Sequence, residues 1–268
     1  MVFKVGASAI IYNKTTHSPR HRTDSPAQHN NTTTQQHHNT TPLMSNFFDI
    51  DFIFFEAFGY KMSHLECWAT VSGGVAVWLS ARENVWSWVV GLLNVVLAFM
   101  LFYQIQLYPD MFLQVFFFVT NLIGWWQWKY PKATEANQKN ELKISKMSIS
   151  QWAILIGIGI VFTASFGTFA RNLHGWLPTL FSKPSAFPYL DSFTTVMSIM
   201  ATFMLIRKKM EAWLVWLFID LISTYIYYLK EVKLYSLLYL IFCFIAAFGA
   251  YNWNKQYRKQ EKLRQFVT

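Results

Sequence analysis

The chain has 268 residues, of which 53% are hydrophobic and 19% aromatic, while charged residues make up 14%. That charged share lies well below the roughly 25% of soluble domains, which excludes an ordinary water-soluble globule. The net charge of +9 does not mark a nucleic-acid binder, because Lys and Arg gather in particular inter-helix loops and at the C-terminus, a pattern that records membrane orientation.

Residues 1–43 differ from everything after them. The stretch from Thr15 to Pro42 is dominated by Thr, His, Asn and Gln, too polar to bury a core, and is expected to be disordered. It lacks the apolar stretch of a signal peptide. An external tail of about 60 residues is harder to move across a membrane than a short one, so translation is expected to start at Met44, leaving 1–43 untranslated. Residues 44–62 mix Phe and Ile with acidic residues, which predicts an amphipathic helix lying at the interface.

Seven apolar stretches follow that are long enough to cross a bilayer, which takes about 20 residues: Leu65–Ala81, Val85–Gln104, Met111–Trp128, Ile149–Ala170, Phe187–Ile206, Ala212–Leu229 and Leu234–Trp253. They are continuously apolar rather than alternating, so helices are expected and not barrel strands. The predicted fold is an all-α membrane protein with seven transmembrane helices arranged 3+1+3. A first three-helix unit spans 63–128. Residues 129–186 hold a basic loop, a connector helix and an outer loop, a second three-helix unit spans 187–254, and 255–268 form a basic tail.

Residues 86–128 and 211–253 are two copies of one pattern at a constant shift of 125. Trp88, Tyr103, Gly124 and Trp128 land on Trp213, Tyr228, Gly249 and Trp253, and Val71, Ala76 and Arg82 land on Val196, Ala201 and Arg207. Corresponding helices are separated by an even number of crossings, so the copies have the same orientation. That makes a parallel repeat, as in the SWEET sugar-transporter fold, with substrate expected between the copies. Arg82, the loop cations Lys129, Lys132, Lys139, Lys143 and Lys146, then Arg207, Lys208 and Lys209, and the tail all fall on one side. Arg171, Lys183, Lys230 and Lys233 fall on the other. The positive-inside rule then places the N-terminus outside and the C-terminus in the cytoplasm.

Residues at i, i+3, i+4 and i+7 share a helix face, and three helices carry polar stripes at that spacing. The third holds Gln114, Asn121, Trp125 and Trp128, with Phe117 or Phe118 between. The fifth holds Asp191, Thr194, Thr195, Ser198 and Thr202, and the sixth holds Trp213, Trp216, Asp220, Ser223, Thr224 and Tyr227. Facing inward they would line a cavity. Facing lipid they would not be tolerated. Thr202 and Ser223 read better as hydroxyls bonding the preceding turn or a neighbouring helix, while Trp126, Trp128 and Trp253 read equally as interfacial anchors and Asp191 as an N-cap behind Pro188. Asp220 stands apart, because a carboxylate deep in a membrane helix costs several kcal/mol unless paired or hydrated. Cys67 and Cys243 read as small packing residues.

The runs Gly91-Leu92-Leu93-Asn94, Gln104-Ile105-Gln106-Leu107-Tyr108, Leu113 to Phe117 and Asn121 to Trp128 resemble the nicotinamide riboside transporter (PnuC) family. So do Phe187 to Ser192 and Glu211-Ala212-Trp213 with Trp216 and Asp220, over about residues 46 to 256. The resemblance implies a passive inner-membrane facilitator, a homotrimer, that equilibrates nicotinamide riboside, with uptake driven by a separate intracellular riboside kinase. Many members carry Asn where this chain has Ala212 and Asp220. There is no GxxxxGK[ST] phosphate loop, so ATP is not expected to drive the chain directly. No cofactor or metal is expected.

The chemistry of the substrate class fits the residues independently. A flat pyridinium joined to a sugar wants aromatic faces, an anion and hydrogen-bonding groups. Trp213, Trp216 and Trp125 offer faces, Asp220 offers charge, and Gln114, Asn121, Thr194 and Ser198 offer polar bonds. Thiamine, another flat cationic vitamin, is the alternative substrate. An intramembrane enzyme is disfavoured, since no HExxH, GxSxG or paired catalytic carboxylates appear. A receptor or structural protein would not need three converging polar stripes.

Overall fold

A computed structural model describes residues 47–105, 108–137, 140–176, 187–229 and 231–265. The polar tail and Met44 lie outside the described residues. The described residues form a short antiparallel hairpin, β1 (Ile53–Ala57) and β2 (Tyr60–Ser63), followed by seven helices. These are α1 (His64–Ala81), α2 (Trp86–Gln104), α3 (Tyr108–Lys129), α4 (Ile149–Trp176), α5 (Pro188–Ile206), α6 (Ala212–Leu229) and α7 (Lys233–Gln265).

The hairpin corrects the expectation of an amphipathic helix before the first long one. Its β-branched and aromatic run, Ile53 to Phe55, suits a strand. Phe58 and Gly59 both take positive φ, 52° and 73°, the requirement of a two-residue type I′ turn whose twist matches paired strands. The hairpin is tied to the helices by a buried cluster in which Glu66 of α1 accepts from the hydroxyls of Tyr60, at 2.5 Å, and of Tyr235 on α7. Burial, with the Glu66 charge beside it, pushes the Tyr60 hydroxyl well above its ordinary pKa.

Helix boundaries follow local chemistry. Ser63 caps α1 by accepting from the Glu66 N–H, and Pro188 occupies the first turn of α5, where its missing N–H costs nothing. Five helices, α2, α4, α5, α6 and α7, are long and apolar enough to cross a membrane. The other two carry more small or polar residues, the Ser72-Gly73-Gly74 run in α1 and Gln114, Asn121 and Gln127 in α3.

The internal repeat is visible in individual atoms. Glu83 and Lys208, 125 positions apart, each take a left-handed φ after α1 and α5. Glu83 N–H donates to Ser80 O and Asn84 N–H to Leu79 O; Lys208 N–H donates to Leu205 O and Lys209 N–H to Met204 O. Both helices therefore end in the same Schellman closure.

The two copies then grip each other reciprocally. Trp128 at the end of α3 donates its indole N–H to Leu205 O and Ile206 O of α5, and Trp253 on α7 donates to Ser80 O of α1. Each tryptophan adds a second donor at a helix end whose carbonyls have few intrahelical partners. Lys208 Nζ lies 3.3 Å from the Glu83 carboxylate and 4.7 Å from the centre of the Trp128 ring. Burial lifts the Glu83 carboxyl above its usual range, and the Lys208 charge pulls it back. The anchor reading therefore suits Trp126, which is 61% exposed, but not the buried Trp128 and Trp253.

Within each copy neighbouring helices pack in sequence, and between copies α1 packs on α7 and α3 on α5. The connector α4 packs on α5 and leaves Ile154, Ile158, Val161, Phe162 and Phe166 exposed, as an element facing lipid or another membrane protein must. Cys67 and Cys243 are free thiols, and Cys243 is buried.

Candidate functional site

The inner face of α6 reads Trp213, Trp216, Asp220, Ser223 and Tyr227 at three- and four-residue spacing, and all five side chains are buried. The Trp216 ring is 9% exposed and its indole N–H has no hydrogen-bond partner. One turn further, Asp220 is 6% exposed. Two ion pairs occur among the described residues, Arg207–Glu135 and Lys208–Glu83, and neither involves Asp220.

Trp213 has a different environment. It is 1% exposed, its ring lies flat over Gly249, and it meets Trp253 edge-on. Its repeat mate Trp88 lies over Gly124 in the same way and meets Trp128 edge-on. Both rings fill the same packing niche in the two copies.

On α3 the buried stripe is Gln114, Phe117, Asn121, Gly124 and Trp128. Trp125 stands partly off that face, and its ring is occupied by Lys129 Nζ at 5.1 Å and by the edge of Tyr130. Gln114 donates to Asp110 O and Asn121 to Phe117 O, so each amide holds its own helix. Their oxygens, Gln114 Oε1 and Asn121 Oδ1, are buried without a partner.

On α5 the hydroxyls form a ladder along their own helix. Thr194 and Thr195 donate to Asp191 O, Ser198 to Thr194 O at 2.6 Å, and Thr202 to Ser198 O. Their protons are spent, and only their acceptor lone pairs remain for a ligand. Asp191 is not the cap of α5. That place belongs to Phe187, and Asp191 sits in the first turn with its own N–H bonded to Phe187 O.

α5 packs on both α3 and α6. Phe116 touches Phe203 on one side, and Phe193 touches Phe218 on the other. Sequence reasoning missed Asn94 on α2, fully buried, which donates to Ala69 O at 2.7 Å and leaves Oδ1 unpartnered. It also missed Gly91, on whose backbone the Asn121 carboxamide rests. The signal was available, because the shift of 125 places Gly91 opposite Trp216. Among the described residues no three His, Cys, Asp or Glu side chains are grouped to hold a metal.

Long apolar helices folded as two copies around buried, unpartnered polar groups are the build of a multi-pass membrane transporter. Comparison with known proteins specifies the class. A model of the nicotinamide mononucleotide transporter family matches residues 63–255, and the chain belongs to that family. It is 35% identical over 219 residues to the nicotinamide riboside transporter PnuC of Escherichia coli (strain K12), covering 75% of this chain and 90% of that one. It is 23% identical to the riboflavin/roseoflavin transporter RibM of Streptomyces davaonensis, over 77% of this chain and 93% of that one. Among solved structures, the crystal structure of the vitamin B3 transporter PnuC shares the fold, with a TM-score of 0.56, 23% identity, and coverage of 73% of this chain and 83% of that chain. These relatives are transporters and not enzymes.

Proposed function

We propose that the chain is a facilitator for nicotinamide riboside, with the substrate held between the two repeats against Trp216 and Asp220. One observation carries this reading: a buried carboxylate without an ionic partner, one helical turn from an aromatic ring whose N–H is unpaired. A charge in that setting is stabilised by a cation arriving with the ligand, and a pyridinium stacked on Trp216 supplies that cation. Lys208 is the buried cation among the described residues, and Glu83 already neutralises it. The interior thus offers nothing to balance a phosphate, which favours the riboside over the mononucleotide of the family's description.

Trp213 serves the architecture in this reading, and Trp125 lies at the edge of the site. Thr194, Ser198 and Gln114 contribute acceptors to the sugar, and Asn121 contributes one to the nicotinamide end. The topology is seven spans in a 3+1+3 parallel repeat, SWEET-like, with the N-terminus outside and the C-terminus cytoplasmic. Its support is the asymmetry of Lys and Arg between alternate loops, and a C-terminal phosphatase reporter active outside the cell would reverse it. The protein works as a homotrimer in the inner membrane, and an intracellular kinase draws the riboside inward by phosphorylating it.

Calorimetric titration of the purified protein with nicotinamide riboside, thiamine and riboflavin tests the substrate. The riboside should bind at least tenfold more tightly than either competitor. Stronger binding of thiamine would favour another cationic vitamin, and stronger binding of riboflavin would contradict the role given to Asp220.

A further inference from the structure

Three carboxamides of the first repeat share one arrangement. Asn94 donates its Nδ2 hydrogen to Ala69 O at 2.7 Å, Asn121 to Phe117 O at 2.7 Å, and Gln114 its Nε2 hydrogen to Asp110 O at 3.3 Å. Those bonds settle which end of each amide is nitrogen, because only an N–H can donate to a carbonyl. The other end of each, Asn94 Oδ1, Asn121 Oδ1 and Gln114 Oε1, is buried with no hydrogen-bond partner. The indole N–H donors of Trp88, Trp213 and Trp216 are unpaired as well, and of these Trp216 lies on the buried face of α6 with Asp220.

The internal symmetry explains why the acceptors lie where they do. At a shift of 125, Gly91 takes the place of Trp216, and Asn121 takes the place of Ala246. In the second copy these positions hold a large ring and an alanine of one core cluster, and in the first a glycine packs against a carboxamide. A Cβ on Gly91 would collide with Asn121 Oδ1, so the glycine is what admits that oxygen. Where one copy presents an indole, the other presents a carbonyl. Asn94 follows Gly91 by one turn on α2, and Gln114 lies two turns from Asn121 on α3, about 10.5 Å along the axis.

A buried carbonyl oxygen without a donor is costly, and three in one repeat need donors from outside the chain. We propose that Asn94, Asn121 and Gln114 form a line of acceptors along the riboside, in which Asn94 and Asn121 select the primary carboxamide of nicotinamide riboside over the carboxylate of nicotinic acid riboside. This rests on the riboside reading of the site. The amide brings two N–H donors for Asn94 and Asn121, and the ribose hydroxyls serve Gln114. A carboxylate brings no donor and sets its own oxygens against these acceptors. Sites built to bond a donor reject the analogue that lacks it far more strongly than apolar pockets reject a missing methylene.

The test is calorimetry on the purified full chain with both ribosides. The parent should bind the amide at least about a hundredfold more tightly than the acid. Asn121→Leu keeps the size and removes the acceptor. It should cut that ratio at least tenfold, by weakening the amide, while the unliganded protein melts no lower than the parent. A purely structural or water-filled Asn121 would instead lower the melting temperature and leave the ratio intact, which would overturn the proposal. If Asn121→Leu does not purify, the parent ratio and Gln114→Met decide. Gln114→Met should weaken both ribosides equally, and unchanged binding removes Gln114 from the line. A parent that binds both ribosides equally overturns this inference alone. One that binds thiamine or riboflavin but neither riboside overturns it together with the proposed function.

Discussion

Trp216→Ala is expected to abolish detectable riboside binding while the protein still purifies as a folded oligomer. An aromatic face over a desolvated cation is worth about 2 kcal/mol or more, which is roughly a thirtyfold loss of affinity when it is removed. The neighbouring Trp213→Ala gives the contrast. That ring is fully buried over Gly249, and truncating such a core side chain costs about 3–5 kcal/mol, so the variant should lose thermal stability before binding can be read. Asp220→Asn should retain binding with a weaker preference for cationic over neutral ligands, since it keeps the shape and removes the charge. If Trp216→Ala binds riboside as well as the parent does, the site lies elsewhere, and the buried stripe of α3 becomes the better candidate.

Gly249→Val and Gly124→Val should each destabilise the fold severely. A Cβ on Gly124 would sit 2.5 Å from the Trp88 ring, and one on Gly249 2.6 Å from Trp213. Both rings are also met edge-on by a second tryptophan, Trp128 or Trp253, which is itself bonded to the opposite repeat. Each ring is buried in the core and already in contact with a tryptophan, so the cost should reach the upper end of overpacking, about 3 kcal/mol. Gly157→Ala on the outer side of α4 meets nothing within 4 Å and should be neutral or slightly stabilising, since alanine favours a helix over glycine by up to about 1 kcal/mol. Melting curves in detergent check all three. Equal melting temperatures for Gly249→Val and the parent would show that the close approach of ring and backbone is not what joins the helices.

The seven helices were legible because each is a long apolar run between charged or Gly/Pro-marked joints, and hydropathy acts over the whole length of such a run. The repeat was legible for a related reason. Trp88 and Gly124 recur as Trp213 and Gly249 because one packing solution is used twice, and the same correspondence gives Trp213 a packing place that spacing on α6 alone does not reveal. What escaped was short or relational. The hairpin before α1 hinges on two positive-φ residues, Phe58 and Gly59, a turn that a Phe-rich segment conceals. The α5 stripe looked like substrate-facing hydroxyls, yet each bonds the carbonyl three or four residues before it, and spacing alone cannot separate those uses. Asn94 and Gly91 were visible as a motif, but their meaning depends on which atoms are left unpaired.

Uptake of radiolabelled nicotinamide riboside into proteoliposomes, with and without a riboside kinase and ATP sealed inside, tests the central claim most directly. Facilitated exchange predicts rapid equilibration to the external concentration in empty vesicles. It also predicts accumulation above that level when the kinase is present, with both lost in Trp216→Ala. Accumulation above the external concentration in vesicles that hold no kinase, or no protein-dependent uptake at all, would contradict it.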